Sequence, residues 1–116
     1  MRSEDVEVLK RIEKWCREVK KTQCYFGDQL TLETNTIYQN AIAFCILKLA
    51  EEVGGLSEEY KESSDFQWEH VEEFAAAMHT DKIDGDDLWH FVTKDVELLS
   101  RFLELASGSG ELKNAV

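Results

Sequence analysis

The chain has 116 residues, 43% of them hydrophobic, and a formal net charge of -11. One domain fits this length, and the absence of proline together with abundant Leu, Ala, Glu and Lys favours helices over a turn-rich β fold. The longest apolar stretch, residues 41–47, is too short to span a bilayer, and no signal-peptide pattern opens the chain.

The cysteines and histidines lack the spacing of metal ligands. Three cysteines are an odd number, which predicts reduced thiols and a cytoplasmic location: Cys16, Cys24 and Cys45. The three histidines lie nine and eleven residues apart: His70, His79 and His90. The sequence therefore predicts neither a metal nor a cofactor.

Charge is unevenly distributed along the chain. Residues 1–24 carry seven Lys and Arg against five Asp and Glu, whereas residues 25–116 carry six against nineteen. Four cations of the first segment would form one stripe on a helix: Lys10, Lys14, Arg17 and Lys21. Such a stripe is typical of the solvated face of an amphipathic helix, and the alternative is a patch that attracts RNA or an acidic partner.

The first predicted helix runs from about Ser3 to about Lys21. Its apolar residues repeat every three or four positions: Val6, Leu9, Ile12, Trp15 or Cys16, and Val19. Residues 22–35 contain Gly27 and many polar residues, and are predicted to form a connector with at most a short turn of helix.

A second, longer helix should begin at the capping-box pattern of residues 36–39 and continue for six turns. One apolar face comprises Tyr38 or Gln39, Ile42, Ile46, Leu49, Val53, Leu56 and Tyr60. A second apolar face comprises Ile37, Ala41, Phe44 and Cys45. Two apolar faces place the first half of this helix in the centre of a bundle or at a dimer interface. Gly54 and Gly55 predict a kink.

Two more helices complete the predicted domain. A capping-box pattern at residues 64–67 starts the third helix, which should bury Trp68 and extend to about His79. After a loop at residues 80–85, Asp84 or Asp86 is predicted to cap the fourth. Residues 1–106 are thus predicted to form a single all-α domain, an antiparallel four-helix up-and-down bundle with a short extra connector, and residues 107–116 a flexible C-terminal tail.

Three stretches in this order carry a family resemblance. The first comprises Asn40-Ala41-Ile42, Leu49-Ala50-Glu51-Glu52-Val53 and Leu56-Ser57-Glu58-Glu59. The second comprises Trp68, Val71 and Phe74. The third comprises His79, Ile83-Asp84, Leu88-Trp89, Asp95 and Leu98-Leu99. Over roughly residues 36–103 the chain resembles the HepT-like family of the HEPN superfamily.

The resemblance implies an all-helical homodimer that is the toxin component of a prokaryotic toxin–antitoxin pair. Its implied activity is metal-independent RNA cleavage, in which a histidine acts as general acid or base and an arginine stabilises the phosphorane. His79 corresponds to that histidine. The implied partner is a nucleotidyltransferase antitoxin, which silences the toxin by adding AMP to a tyrosine.

The chain departs from the family motif at two positions. The arginine position corresponds to Glu72, Glu73 or Phe74, and the tyrosine position corresponds to Asp81. A cation could come instead from Lys82 or from the first helix of a partner subunit. Glu72 lies seven residues before His79 and could orient its imidazole, or simply be a solvent-facing neighbour.

These departures leave alternative functions open beside the ribonuclease. One is a catalytically inactive protein of the same fold that dimerises and binds a nucleotidyltransferase or another protein. Another is an unrelated helical bundle. For His79 itself, the alternative to catalysis is a histidine in the last turn of a helix, where its charge complements the helix dipole.

Overall fold

A computed structural model describes residues 2–80 and 83–108, and within these ranges all the regular secondary structure is helical. The longer helices of this described part are α1 (Ser3–Phe26), α3 (Thr36–Gly54), α5 (Trp68–Met78) and α7 (Val96–Gly108). The six-residue helices there are α2 (Gln29–Thr34), α4 (Glu58–Ser63) and α6 (Gly85–His90). A π-helical turn, Phe91–Asp95, joins α6 to α7. The predicted all-α class is confirmed.

Helix α3 is the centre of the core. It contacts α1, α5 and α2, while α7 packs on α1. The buried residues of α3 lie along one stripe: Tyr38, Ile42, Cys45, Ile46, Leu49 and Val53. Full burial of a side chain such as leucine stabilises a fold by about 1.5–3 kcal/mol, so this stripe contributes substantially to stability.

The helical periodicity predicted most of the core. Cys16 occupies the buried position of α1, whereas Trp15 is only partly buried. Trp68 is buried as predicted, and its indole Nε1 donates a hydrogen bond to the Ser64 hydroxyl at 2.7 Å. None of the helices in the described ranges combines the length and the apolar character needed to cross a membrane.

The first helix is longer than predicted. We expected it to end near Lys21, but α1 continues to Phe26 because no residue before Gly27 interrupts it. Gly27 ends the helix with a φ of 113°, a conformation that glycine adopts without strain. The Tyr38 hydroxyl then donates to the Gly27 carbonyl at 2.9 Å and holds this turn against α3.

The predicted kink at Gly54 and Gly55 is instead the end of α3. The Gly55 N–H donates to the Glu52 carbonyl at 2.9 Å, and the chain does not resume helical structure until Glu58. Ser57 caps the new helix α4, where its hydroxyl accepts a hydrogen bond from the Tyr60 N–H at 3.2 Å. Two adjacent glycines and a capping serine thus favour a break over a bend.

The capping patterns located helix starts only approximately. Asn35, rather than Thr36, caps α3, and its side chain accepts from the Tyr38 N–H at 3.0 Å. The pattern at residues 64–67 does not cap α5, which begins at Trp68 without a side-chain cap. The Ser64 hydroxyl accepts from the Trp68 indole instead. Most of the predicted tail, at residues 109–116, lies outside the described residues.

One buried carboxylate fixes α1 to the junction between α3 and α4. Asp5 is buried, and its two oxygens accept hydrogen bonds from the Ser57 backbone N–H at 2.8 Å and the Ser57 hydroxyl at 2.7 Å. A buried charge is tolerated when such bonds satisfy it. The same serine caps α4, so Asp5 sets the position of that cap relative to α1.

We expect Asp5→Ala to lower the free energy of unfolding by about 1–3 kcal/mol, because the Ser57 N–H and hydroxyl both lose their acceptor. Urea unfolding followed by circular dichroism measures this change. The matched control is Glu4→Ala, at an exposed neighbouring position, with an expected change of less than about 1 kcal/mol. Equal losses in the two variants would contradict this role for Asp5.

Candidate functional site

His79 lies at the C-terminal end of α5, as the sequence predicts. The helix ends at Met78, and the His79 N–H donates to the Ala76 carbonyl at 3.2 Å. The imidazole is exposed. A protonated histidine in this place complements the negative end of the helix dipole, which is the structural alternative to a catalytic role.

A cavity of about 420 Å³ lies at this corner, between α2, α3, the end of α5 and the start of α6. Its polar lining consists of Glu33, Gln39, Asn40 and Asp84. Among the residues that the structure describes, no lysine or arginine lines the cavity. The described carboxylates of Glu33 and Asp84 would repel a phosphodiester.

The walls of this cavity are held by hydrogen bonds from side chains. The Gln39 amide donates to the carbonyls of Leu32 and Glu33, at 2.9 and 3.0 Å, and so ties α3 to α2. Asp84 caps α6, as predicted, and accepts from the Asp87 N–H at 2.8 Å.

Two further contacts bring the start of α6 against α2. The Gln29 amide donates to the Asp86 carboxylate. Gly85 packs so closely on the Glu33 side chain that a Cβ atom at this position would collide with it. A side chain at residue 85 would therefore require the exposed Glu33 side chain to move.

The arginines of the chain are engaged away from His79. Each of the four forms an ion pair with a glutamate: Arg2 with Glu59, Arg11 with Glu52, Arg17 with Glu13 and Arg101 with Glu97. None of the four contacts His79 or lines the cavity beside it. Asp81, at the tyrosine position of the family motif, and Lys82, the alternative cation, lie outside the described residues.

Glu72 does not hold the His79 imidazole. Its carboxylate accepts from the Lys61 ammonium group at 3.2 Å, which links α5 to α4. Within the described part of the chain no hydrogen bond joins Glu72 to His79. Residues seven apart do share a helical face, but a glutamate side chain is too short to bridge the two turns between them.

Two other histidines, which are distant from each other in the sequence, lie beside the same carboxylate in the structure. The imidazole Nε2 of His70 donates to the Asp95 carboxylate at 3.0 Å. His90 lies on the other oxygen of the same carboxylate, with its Nε2 at 4.0 Å. Asp95 is partly buried, and both histidines are exposed. We call these three residues the His–Asp–His cluster.

The π-helical turn produces this cluster. In an α-helix, residues five apart point about 140° away from each other, so the spacing of His90 and Asp95 gives no sign of a contact. Here the Val96 N–H donates to the Phe91 carbonyl five residues earlier, and the wider turn brings Asp95 beneath His90. Phe91 stacks on Phe74 of α5, with ring centroids 4.1 Å apart, and fixes the turn against that helix.

The His–Asp–His cluster offers hydrogen bonding and proton exchange. A histidine oriented by a carboxylate resembles the base of a nucleophilic site. No serine, threonine or cysteine lines the adjoining cavity of about 430 Å³ among its described residues. Nor does any group of three His, Cys, Asp or Glu side chains in the described ranges have the arrangement needed to hold a metal ion.

The buried cysteines are not nucleophiles either. Burial raises the pKa of the Cys16 thiol to about 12, although a hydrogen bond with Ser100 acts in the opposite direction. Burial also raises the pKa of the Cys45 thiol. Both thiols therefore stay protonated near neutral pH, and only a thiolate attacks an electrophile.

Comparisons of the chain with protein-family models, with curated proteins and with solved structures give no match. The relationship to the HepT-like family therefore stays a prediction from the sequence.

We expect His70→Ala to lower the free energy of unfolding by about 0.5–1.5 kcal/mol, because Asp95 loses a charge-assisted hydrogen bond at a site open to solvent. The control is His79→Ala, whose exposed side chain forms no hydrogen bond within the described residues, with an expected change within about 0.5 kcal/mol. Thermal or urea unfolding at pH 7 gives both values. A larger loss in the His79 variant would mean that the imidazole of residue 79 stabilises the fold.

Proposed function

We propose that this chain is a HepT-like member of the HEPN superfamily that functions as a homodimeric binding subunit without ribonuclease activity. The proposed bundle consists of α1, α3, α5 and the continuous unit of α6, the π turn and α7. The order of these elements supports the proposal, since His79 ends the third long helix and Asp84 caps the next.

The observation that carries this proposal is an exposed apolar face on α3. Ile37 is 70% exposed and Phe44 is 54% exposed, although they lie two turns apart on the same side of the central helix. The Phe44 ring contacts Trp15 of α1 edge-on, with centroids 5.8 Å apart. We call this surface, formed by Trp15, Ile37 and Phe44, the α1/α3 face. Exposed apolar patches of this kind mark interaction sites.

A second copy of the chain is the proposed occupant of the α1/α3 face. Lys14 lies over the Trp15 ring at 4.8 Å, and Lys48 lies over the Phe44 ring at 5.7 Å and 3.4 Å from the Glu51 carboxylate. Positively and negatively charged side chains therefore border the apolar centre of this surface. Under two-fold symmetry such a surface can face itself, with each lysine opposite a glutamate of the other copy.

The free energies of burial and association predict a weak dimer. Burying the exposed parts of Ile37 and Phe44 on both subunits contributes about 4–8 kcal/mol, since full burial of such side chains gives about 1.5–3 kcal/mol each. Association costs about 4–15 kcal/mol in lost translational and rotational freedom. The gain and the cost are of similar size, so we expect a weak dimer whose population depends on protein concentration.

Active RNA cleavage is the second candidate function, and one observation favours it. His79 is exposed beside a cavity of about 420 Å³, large enough to hold a nucleotide fragment. The carboxylate lining and the engaged arginines favour the inactive alternative. The nucleotidyltransferase implied by the family resemblance is the first partner to test, and with aspartate at position 81 we expect it to bind without adding AMP there.

Replacing the apolar side chains of the α1/α3 face should dissociate the dimer. We expect the double variant Ile37→Lys/Phe44→Lys to sediment as a monomer at concentrations where the parent chain is dimeric, because four added lysines repel each other across a two-fold axis. Sedimentation equilibrium measures the mass. The control is Leu98→Lys, which places a lysine on an equally exposed leucine of α7 and should leave the mass unchanged. A dimeric double variant would place the interface elsewhere.

The purified chain should not cleave RNA. We expect total RNA incubated without metal to remain as intact as with His79→Ala, because no arginine is available to stabilise a phosphorane at this corner. Denaturing gel electrophoresis of both reactions provides the test. Cleavage by the parent chain that His79→Ala abolishes would instead establish the ribonuclease.

A further inference from the structure

A groove runs between α7 and the segment that connects α4 to α5, on a surface distinct from the α1/α3 face. Two cavities of about 430 and 460 Å³ adjoin there, and Asp65 lines both. The first also contains Asp95 and Leu98, and the second Leu105. We call this combined depression the α7 groove.

The apolar wall of the α7 groove has helical spacing. Leu98, Phe102 and Leu105 lie at i, i+4 and i+7 of α7, and the two leucines are 59% and 75% exposed. Phe102 is held in place by Phe66 and Trp68, each with ring centroids 5.5 Å from its own. The fixed Phe102 ring lies between two exposed leucines that are about 10 Å apart. This spacing matches the apolar stripe of a helix two to three turns long.

The charged residues of the α7 groove determine which charge its ligand should carry. Asp65 is exposed and lines both cavities, whereas Asp95 of the first cavity already accepts from His70, and no lysine or arginine is among the described residues lining either cavity. Arg101 lies one turn from both Leu98 and Leu105 on α7, and it pairs with Glu97 at 3.3 Å. A cationic ligand is therefore attracted, while RNA or another polyanion is repelled.

The chain's own cations argue against a second copy as the occupant. The basic stripe of α1 is largely neutralised within that helix, where Lys10 pairs with Glu7, Arg17 with Glu13 and Lys21 with Glu18. This pairing favours the solvated amphipathic face over a patch that attracts RNA or an acidic partner. Little free positive charge on α1 is left to attract the carboxylates of the α7 groove.

We infer that the α7 groove binds a cationic amphipathic helix of a protein partner, with apolar residues at i, i+4 and i+7 and with Lys or Arg beside them. The apolar stripe packs on Leu98, Phe102 and Leu105, and the cations approach Asp65. This inference rests on the proposed binding function, but it uses neither the α1/α3 face nor His79.

The test uses a fluorescein-labelled synthetic peptide of 16 residues, with leucine at four positions spaced i, i+4, i+7 and i+11 and lysine at most of the others. A peptide of identical composition with the leucines scrambled is the control. Fluorescence anisotropy against the full chain should show saturable binding of the first peptide only. Binding should weaken as salt is added, because solvent-exposed charge pairs are screened.

Matched variants locate the site. We expect Leu98→Lys/Leu105→Lys to weaken peptide binding by at least about tenfold, because these leucines would be the apolar anchors. Asp65→Asn, which removes an exposed carboxylate with no hydrogen-bond partner in the described residues, should weaken binding by about two- to fivefold. The dimer-face variant Ile37→Lys/Phe44→Lys should bind the peptide as the parent does. Circular dichroism of each variant checks that the helices are retained.

Three outcomes overturn the inference. They are equal binding of the scrambled peptide, binding that survives the double leucine variant, and a loss of dimer mass in the double leucine variant that assigns the α7 groove to a second copy. Failure of the proposed function appears separately, as RNA cleavage that depends on His79 or as a dimer that survives Ile37→Lys/Phe44→Lys.

Discussion

The burial of one side of α3 by α1 and α5 is the constraint on which the other features depend. Because α3 contributes the buried stripe from Tyr38 to Val53, its neighbours must lie on that side. The opposite side is then left to solvent, and it contains Ile37 and Phe44. The same packing that stabilises the subunit thus creates the apolar face that we propose for dimerisation.

The buried residues could be predicted from sequence because burial follows the helical period, and a repeat of three and four needs no knowledge of the neighbouring helices. Helix ends were harder to predict because local patterns compete with tertiary contacts. Residues 64–67 fit a capping box, yet the hydroxyl of Ser64 is occupied by the indole of Trp68. Gly54 and Gly55 predicted a kink, but α3 ends there, because the capping hydroxyl of Ser57, held by Asp5, starts a new helix.

The two histidine sites also differ in whether they could be predicted from the sequence. The position of His79 follows from the length of the third predicted helix, so the sequence located it at a helix end beside an acidic loop. The His–Asp–His cluster could not be found, because His70 and Asp95 are distant in sequence and His90 contacts Asp95 only through a π turn. A five-residue spacing across a π turn has no distinctive residue pattern. The π turn is recognised from a backbone hydrogen bond, and no particular side chain marks it in the sequence.

The π turn also sets the rotational phase of α7. Such a turn contains one residue more than an α-helical turn, so residues 91–95 act as a one-residue insertion in an otherwise continuous helix. Loss of one residue there would rotate everything that follows by about 100° relative to α6. The exposed leucines of α7 would then point in a new direction with their identities unchanged. Among relatives of this chain, a single insertion or deletion in this turn would therefore redirect the surface of α7 more than most substitutions within it.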